Sequence, residues 1–519
     1  MDQRRLLIAS AISLLLIFAY QQFVLSRYRK PQAPATVSST PPAAPHEGLP
    51  PLTSELAAEP GTGTPVTVDT DVLQLTIIPA GARLGDIKLK AYREAVGSDD
   101  PLDLVQPAPV LPATLQLGAD ASDARLVYVP DRRQLVLHGS DAGDVVLHAD
   151  SPGGLHIEKR YHFVADEYLV ELTATVSGGA PPPSVSLVLT PLPPHAAGGP
   201  TKGVAAALVD GRLVEKPPAL PKKDGEPQPV AFPSVGWAGF AGQYFMTVAM
   251  PKEGTSSAQL GAADDLPVVR VEAPVIDGRA GFVVFAGPKD RDVLSRSGHD
   301  LSGAIYFGWF WFVAIPLLRA LRILHNVTGN YGVAIIVLTA LVKAVTAPLT
   351  QTTFRNMREM QKIQPQMAKL RERFKDDQMA LQKEMMELYR RHRVNPFAGC
   401  LPMALQLPIF VGLYNALSHA IELRHAPFAL WINDLSAPDR LMIAGTGVPV
   451  LTLFMGASMF LQQWLTPAQG DPAQQRMMMF MPLVFTFMFI NFPAGLVLYW
   501  LVNNVLTIGQ QYLMMRSMK

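Results

Sequence analysis

Five apolar segments in the C-terminal part of the chain constrain its fold more than any other feature. They cover residues 331–350, 398–420, 441–461, 477–492 and 494–514. A helix needs about 20 mainly apolar residues to cross the hydrocarbon core of a bilayer, and all but the fourth segment come close to that length. Charged residues make up 17% of the 519 residues, against about 25% in soluble proteins. The sequence therefore predicts a helical membrane protein.

A further apolar run follows the N-terminal sequence MDQRR. It approaches spanning length, and no A-x-A cleavage site follows it. We interpret residues 1–26 as a transmembrane anchor, the alternative being a cleaved signal peptide. Arg4 and Arg5 favour a cytoplasmic N-terminus, although three basic residues after the run weaken this assignment. Residues 27–65 are rich in Pro, Ala, Ser and Thr, which predicts an extended or disordered linker.

Residues 66–300 carry short β-prone runs separated by Gly, Pro and Asp. Runs such as LHIEKRYHFV alternate between apolar and polar residues, as expected for strands with one buried face. Closely spaced strands without a long helical stretch predict an all-β sandwich, which we place on the trans side of the membrane. No acid/base pair stands out in it. Its histidines are His138, His148, His156, His162 and His195, together with His299 at its end.

The segment 301–328 contains the aromatic-rich sequence FGWFWF. Such aromatic residues favour the headgroup level of a membrane. Pro316 falls within the apolar run, and Arg319 and Arg322 follow it. We predict an amphipathic helix in the interface, broken at the proline. The alternative, another transmembrane helix, would invert the orientation of every later span.

Loop charges give the orientation of the spans. Eleven Lys and Arg residues lie in the segment 351–396, whereas the segment 421–440 holds only Arg424 and Arg440. Because basic loops stay in the cytoplasm, the first loop is predicted to be cytoplasmic. Together with the anchor, this gives six transmembrane helices, both termini in the cytoplasm and the β domain on the opposite side of the membrane.

The basic cytoplasmic loop is itself predicted to fold. Apolar residues at helical spacing, among them Ile363, Met367 and Leu370, precede an acidic pair and a second, less regular series. This pattern predicts a helical hairpin over residues 352–395, inside a five-span core of residues 329–519. The methionines of the hairpin either pack its two helices together or form an adaptable surface for apolar segments.

Lys343 is a basic residue inside the first of the five spans. It lies about seven residues from the cytoplasmic end, so at ~1.5 Å per residue its Cα is roughly 10 Å inside the hydrocarbon. A charge at the bilayer centre costs about 2.5–3.5 kcal/mol. Lysine can extend toward the headgroups, but Cα–Cβ bonds tilt toward a helix N-terminus, which here points away from the cytoplasm. We therefore predict that Lys343 faces a hydrated cavity.

Polar residues at helical spacing support a hydrated groove. Thr339, Thr346 and Thr350 share one helix face with Lys343, and Gln406 lies in an apolar part of the second span. A further polar face on the last span comprises Trp500, Asn503, Asn504, Thr507 and Gln511. The alternative for each Thr, Asn and Gln is a hydrogen bond between packed helices.

Several motifs resemble the YidC family of membrane protein insertases. They are FGWFWF (307–312), GNYG (329–332), APLT (347–350), VNPFAGC (394–400), PFALWINDLS (427–436), FPAGLVLYW (492–500) and, at the end of the β domain, FAGPK (285–289). Their order and spacing follow the family through the chain. The resemblance implies the Gram-negative form of the family in the bacterial inner membrane, with a periplasmic β supersandwich. Lys343 stands where arginine is more usual, which keeps the charge but loses the planar guanidinium.

The resemblance also implies a function. A hydrophilic groove carrying Lys343 would take up nascent membrane proteins, with Thr339, Gln406 and Trp500 at other groove or substrate-contact positions. The implied partners are these substrates, the Sec translocon, the ribosome, the signal recognition particle receptor and membrane lipid. No cofactor, metal, catalytic residue or direct nucleic-acid contact is implied.

Composition and motifs bear on other classes of function. The net charge of +1 and the single cysteine argue against a globally basic nucleic-acid binder and a multi-cysteine metal site, and the GxxxxGK[ST] loop of ATP-using proteins is missing. None of the five spans carries an interior Asp or Glu, which argues against a proton-coupled transporter. On the residues alone, two alternatives stay open: another solute transporter or channel, and a membrane-anchored sugar-binding or epimerising enzyme.

Overall fold

The computed structural model describes residues 63–118, 121–179, 181–197, 203–217, 220, 222–223, 226–254, 256–263, 266–374, 377–392, 401–465 and 472–517. The predicted anchor, nearly all of the linker and the motif VNPFAGC lie outside these residues. The chain divides into two compact units, Met1–Tyr306 and Phe307–Lys519.

The described part of the first unit consists mainly of β-strands. They are β1 (Val66–Asp69), β2 (Leu73–Ile78), β3 (Arg83–Arg93), β4 (Pro101–Asp103), β5 (Thr114–Leu117), β6 (Ala121–Ser122), β7 (Val129–Pro130), β8 (Gln134–Val136), β9 (Ala142–Asp150), β10 (His156–Val164), β11 (Leu169–Ser177), β12 (Ser184–Leu189), β13 (Val204–Val209), β14 (Arg212–Lys216), β15 (Lys222–Lys223), β16 (Glu226–Pro227), β17 (Val230–Phe232), β18 (Val235–Ala241), β19 (Phe245–Pro251), β20 (Ala258–Ala263), β21 (Leu266–Pro274) and β22 (Arg279–Pro288). Two short helices accompany them, α1 (Pro194–Ala197) and α2 (Arg291–Ser297).

Three larger sheets organise these strands. One has the order β14-β13-β18-β19-β22-β11-β10-β9-β7, the second β17-β20-β21-β12-β5-β6, and the third β4-β3-β2-β1-β8. Strands β18, β19 and β22 of the first sheet pack against β12 and β21 of the second. The predicted β-rich domain is therefore confirmed, although the run ARLVYVP contributes only the short strand β7.

Burial along the strands follows their position in the sheets. On β11, buried and partly exposed residues alternate, as in the sequence pattern. On β19, six consecutive residues are buried, because both faces of this central strand are covered. Fully buried aromatic side chains include Trp237, Phe245 and Phe282, each of which contributes about 1.5–3 kcal/mol of hydrophobic stabilisation.

A charged pair lies inside this β unit. The Nζ atom of Lys159 is 2.6 Å from Asp123 Oδ2, and both side chains are fully buried. Lys159 also donates to the carbonyl oxygen of Ala113 at 2.9 Å, and the Tyr128 hydroxyl donates to Asp123 at 3.0 Å. Burial lowers the pKa of Lys159, while the attraction of Asp123 opposes this shift. The network joins segments far apart in sequence.

The second unit is helical in the part that the structure describes. Its helices are α3 (Trp311–Thr328), α4 (Tyr331–Arg373), α5 (Gln378–Arg391), α6 (Leu401–His419), α7 (Val450–Leu465), α8 (Pro472–Phe489) and α9 (Ala494–Ser517), and a small hairpin is formed by β23 (Leu441–Ile443) and β24 (Thr446–Val448). Helix α3 packs against α4 and α6, α9 packs against α4 and α7, and α7 packs against α8.

Three helix boundaries differ from the sequence predictions. Pro316 lies within α3 without ending it; as the sixth residue of the helix it removes one backbone hydrogen bond, and the helix continues to Thr328. The first span and the first hairpin helix form one continuous helix, α4, which contains Pro348 and Pro365. The apolar segment 441–461 begins as the β23–β24 hairpin, and its helix starts only at Val450.

One helical stretch among the described residues, Tyr331–Pro348, is long and apolar enough to cross a membrane. The helices Val450–Leu465 and Met479–Phe489 are apolar but shorter. The count of six transmembrane helices therefore stays a prediction.

Candidate functional site

Lys343 on α4 is held by the last helix of the bundle. Its Nζ atom donates to Thr507 Oγ1 on α9 at 2.8 Å, and the lysine side chain is half-buried. The same hydroxyl donates to the carbonyl oxygen of Asn503 at 2.6 Å. Two of the predicted groove residues are thus brought together.

Helices α4 and α9 run in parallel because both begin at one loop. The Asn330 side-chain amide, just before α4, donates to the carbonyl oxygen of Phe428 at 3.0 Å. The Gly495 N–H, at the start of α9, donates to the carbonyl oxygen of Leu435 at 2.8 Å. This loop carries the motif PFALWINDLS, so the motif fixes the relative start of the two helices.

The lysine side chain extends along α4 toward its C-terminal end. Ile335 packs against Gly495; Lys343 lies eight residues beyond the former, and Thr507 twelve residues beyond the latter. At ~1.5 Å per residue, Thr507 is about 6 Å nearer the C-terminal end than Lys343. The side chain therefore extends opposite to the direction that its Cα–Cβ tilt favours, so the direction predicted for Lys343 from that tilt was wrong. The hydrogen bond to Thr507 holds the side chain in this direction.

Two threonines of the predicted stripe bond to their own helix, and the side chain of the third, Thr350, lies outside the part of the chain that the structure describes. Thr339 is buried and donates to the carbonyl oxygen of Ile335 at 2.6 Å. Thr346 is half-buried and donates to that of Val342 at 3.0 Å. Such bonds satisfy the hydroxyl hydrogen within the helix.

The predicted polar face of α9 divides between two neighbours. Asn504 is buried, and its side-chain amide donates to Ser458 on α7 at 3.0 Å. Thr507 faces Lys343 on α4 instead. Asn504 therefore follows the alternative of a helix–helix bond, and Asn503 contributes a carbonyl oxygen to the Lys343 site.

Gln406 and Trp500 meet a different set of partners. The Gln406 amide donates to the Tyr499 hydroxyl at 2.7 Å, which joins α6 to α9. Trp500 lies among phenylalanine rings, with centroids 4.7 Å from Phe410 on α6 and 5.3 Å from Phe489 on α8. Trp500 is thus part of an aromatic cluster that connects α6, α8 and α9, a role that helical spacing alone did not indicate.

Tyr499 and Asp439 make contacts that the sequence did not predict. Asp439 is buried in the loop before α7, where it accepts hydrogen bonds from the Trp431 indole at 2.6 Å and from the backbone N–H groups of Leu451 at 2.5 Å and Thr452 at 3.2 Å. A carboxylate at a helix N-terminus satisfies backbone donors and complements the helix dipole. The sequence does not mark Asp439 as a cap, because the residue lies eleven positions before the first residue of α7. The β23–β24 hairpin between them brings the chain back, so that Asp439 reaches the start of the helix.

The packing role of the hairpin methionines is confirmed for some and not for others. Ile363, Met367 and Leu388 form a buried cluster between α4 and α5, with Met360, Leu370, Met385 and Tyr389 packed around it. Met379 and Met386 remain 84% and 55% exposed. The hairpin therefore combines a packed interior with an exposed methionine surface.

Five histidines of the β unit lie beside carboxylates on exposed surface. The pairs are His138–Asp71, His148–Glu158, His156–Asp150, His162–Asp144 and His195–Glu94. Within the described residues, no group of three or more His, Cys, Asp or Glu side chains could hold a metal ion. These are surface pairs rather than a shielded acid/base centre.

Comparison with known proteins agrees with the two units. A family model described as "YidC periplasmic domain" matches residues 65–320, and one described as "60Kd inner membrane protein" matches residues 323–519. The "Membrane protein insertase YidC" of Geobacter sulfurreducens is 40% identical, with 86% of each chain covered. The protein of that name from Maridesulfovibrio salexigens is 36% identical over 100% of both chains.

A solved structure described as an active YidC insertase covers 88% of this chain and 95% of its own, at 18% identity and a TM-score of 0.38. The sequence matches are the stronger result, and those relatives are named as insertases rather than as catalytic enzymes. By its sequence identity to them over most or all of its length, the chain belongs to the YidC family of membrane protein insertases.

Proposed function

We propose that this protein inserts nascent membrane proteins into the bacterial inner membrane through a hydrophilic groove that contains Lys343. The observation that carries the proposal is the hydrogen bond between Lys343 and Thr507. Among the described residues, the ammonium group is held by a hydroxyl and not by a carboxylate. Its charge is therefore available to an acidic residue of a substrate.

The magnitude of such an attraction supports a role in insertion. Two unit charges 4 Å apart at an effective dielectric constant of 20 attract each other by about 4 kcal/mol. This is comparable with the cost of about 2.5–3.5 kcal/mol of placing one charged residue at the bilayer centre. A carboxylate in a translocated tail would be drawn to Lys343, and the groove would shorten the dry distance that the tail crosses. The apolar helix of the substrate would then enter the lipid by the hydrophobic effect.

The proposed topology has six transmembrane helices, with the two termini in the cytoplasm and the β unit, a supersandwich, in the periplasm. The spans are the N-terminal anchor and five helices of the second unit, with α3 in the interface. The basic residues at the cytoplasmic hairpin support this orientation; examples in the last turns of α4 and α5 are Arg371, Arg373, Arg390 and Arg391.

The proposed partners follow from this arrangement. The exposed methionines Met379 and Met386 would give the cytoplasmic hairpin an adaptable apolar surface beside its basic residues. We assign it to reception of substrate from the ribosome or from the signal recognition particle receptor. Cooperation with the Sec translocon belongs to the same proposal.

Substitution at position 343 tests the role of the cation. Lys343→Arg keeps the charge, Lys343→Met keeps much of the shape without it, and Lys343→Glu reverses it. We expect insertion of a substrate with an acidic tail to decline in that order, whereas a substrate with a neutral tail is affected less. Equal insertion by the methionine variant and the parent protein would remove the cation from the mechanism.

Site-specific crosslinking tests the path of the substrate. A photoreactive residue at Gln406 or Trp500 should crosslink to a stalled nascent chain, because both positions lie in the proposed groove. Leu453 on α7, which is 51% exposed, serves as a control outside it. Crosslinks of equal yield at Leu453 would contradict the proposed path. A solute transporter, by contrast, would show solute flux in liposomes.

A further inference from the structure

The hairpin of β23 and β24 presents apolar side chains that nothing in the described bundle covers. Met442 is 66% exposed and Ile443 is 52% exposed. The turn is formed by Ala444 and Gly445, both at positive φ. No charged residue lies between positions 441 and 465. The hairpin tip is therefore an exposed apolar surface without charges of its own.

Helix α7, which follows the hairpin, is short for a membrane span. Its 16 residues extend about 24 Å at ~1.5 Å per residue, whereas the hydrocarbon core is about 30 Å thick. The sequence after Leu465, TPAQGD, is polar. The apolar sequence continues on the N-terminal side of α7, where the hairpin lies.

The backbone of the hairpin limits how deep it can lie. The two strands pair Leu441 with Val448 and Ile443 with Thr446, which satisfies the groups between them. The outer edges of a two-stranded ribbon still need water or headgroups, because unpaired backbone groups are costly in hydrocarbon. The interface is the region that suits a paired backbone with apolar side chains at its tip.

The base of the hairpin is fixed to the bundle by an arginine. Arg440 donates to the carbonyl oxygen of Ile490 at 2.9 Å and to the side-chain oxygen of Asn491 at 3.0 Å, at the end of α8. On the helix that follows the hairpin, Leu453 and Phe454 are also exposed, by 51% and 58%. Both the hairpin and the helix that we propose to face lipid therefore present exposed apolar side chains.

We infer that this hairpin is a lipid anchor, with its backbone at the headgroup level of the periplasmic leaflet and Met442 and Ile443 among the acyl chains. The inference rests on the topology proposed above, in which α7 begins at the periplasmic face. Its exposed side chains add apolar contact with lipid beside the start of the short helix α7, and the hairpin holds the loop before α7 against the membrane.

Spin-label accessibility of the full-length protein in proteoliposomes tests the inference. Single cysteines are placed in a Cys400→Ser background by Met442→Cys and Ile443→Cys, with two matched controls. Val345→Cys labels a residue of the proposed span α4 that is 82% exposed, and Val129→Cys labels an apolar residue of the β unit that is 68% exposed. Oxygen concentrates in lipid, whereas a charge-neutral nickel chelate concentrates in water.

We expect the labels at positions 442 and 443 to collide with oxygen severalfold more than with the nickel chelate, as at position 345 and opposite to position 129. If the labels at positions 442 and 443 collide more with the nickel chelate, as the label at position 129 does, while the label at position 345 still collides more with oxygen, the lipid anchor is overturned and the topology stands. Low collision rates with both reagents would also overturn it, because a protein partner or a second copy would then cover the hairpin. A water-exposed label at 345 would overturn the topology and the anchor together.

Discussion

Lys343 and Thr507 lie 164 residues apart in sequence and meet at 2.8 Å between α4 and α9. Because the Thr507 hydroxyl donates its hydrogen to the carbonyl oxygen of Asn503, its lone pairs are directed to the ammonium group. The backbone of α9 thus orients the acceptor, and the position of Lys343 depends on how α4 and α9 are held at their common loop.

The first prediction concerns this acceptor. Thr507→Val removes it with little change of shape, and a hydrogen bond to a charged group contributes about 1.5–3 kcal/mol. We expect a loss of stability of that order, measured by unfolding of the detergent-solubilised protein. Insertion should fall less than in Lys343→Met, because the cation remains. Thr507→Ser keeps the oxygen and should behave like the parent protein.

Thr339→Val is the matched control for this experiment. It removes a buried hydroxyl that donates to Ile335 of its own helix and so leaves the lysine contact in place. A loss of stability in Thr339→Val as large as that in Thr507→Val would mean that the measured effect does not come from the Lys343 hydrogen bond.

The second prediction concerns the buried carboxylate of Asp439. Asp439→Ala leaves the backbone N–H groups of Leu451 and Thr452 and the Trp431 indole without this acceptor. Loss of a helix N-cap costs about 0.5–2 kcal/mol, and we expect the upper end of this range because the site is buried. Thermal unfolding of the purified protein measures it. Asp434→Ala, which removes an acceptor for the nearby Ser436, should cost less; the reverse order would contradict the capping role.

Local patterns predicted the features that depend on local periodicity. Ile363 and Met367 recur at helical spacing, and both are buried between α4 and α5. The pattern of the apolar segment 441–461 does not decide between a strand and a helix, because an apolar run fits both equally well. Its division into a hairpin and a helix is associated with the turn at Ala444 and Gly445, where both residues adopt positive φ.

The sequence did not predict which residues on different helices contact each other. Helical spacing grouped Asn504 with Thr507, but their partners lie on α7 and α4, and only the packing of α9 between these helices separates them. Tyr499 stands in the apolar sequence FPAGLVLYW, where nothing marks it as the partner of Gln406. The burial of Lys159, by contrast, is visible in the sequence. Strand alternation places it on the same face as Ile157 and Tyr161, which is the face that lies in the core.

The third prediction concerns the buried pair of Lys159 and Asp123. Breaking a buried ion pair by removing one partner costs about 3–5 kcal/mol, because the other charge stays buried. We expect a loss of this size for Lys159→Met, measured as the shift of β-unit unfolding in urea by pulse proteolysis of the full chain. The double variant with Asp123→Leu should be less destabilised than the sum of the two single variants. Strict additivity would show that the two side chains do not act as a pair.

The fourth prediction concerns the pH dependence of the β unit. Partial burial raises the pKa of Asp144, but hydrogen bonds from His162 and Arg160 outweigh it, so that the pKa lies below its ordinary value of 3.8. A lowered pKa in the folded state stabilises the fold above the unfolded-state pKa, and this contribution is lost as the pH falls through the folded-state pKa. The stabilisation from Asp144 is therefore present at pH 6 and disappears below pH 3.8.

Asp144→Asn imitates the protonated carboxyl group at every pH and isolates this contribution. We expect the variant to be less stable than the parent at pH 6 by about 0.2–1 kcal/mol, as for other largely exposed ion pairs. The difference should shrink toward zero as the pH falls below 3.8, because the parent then becomes protonated too. Urea unfolding at a series of pH values measures it. A difference that stays constant down to the lowest pH at which the fold persists would show that the amide perturbs packing instead of removing a charge.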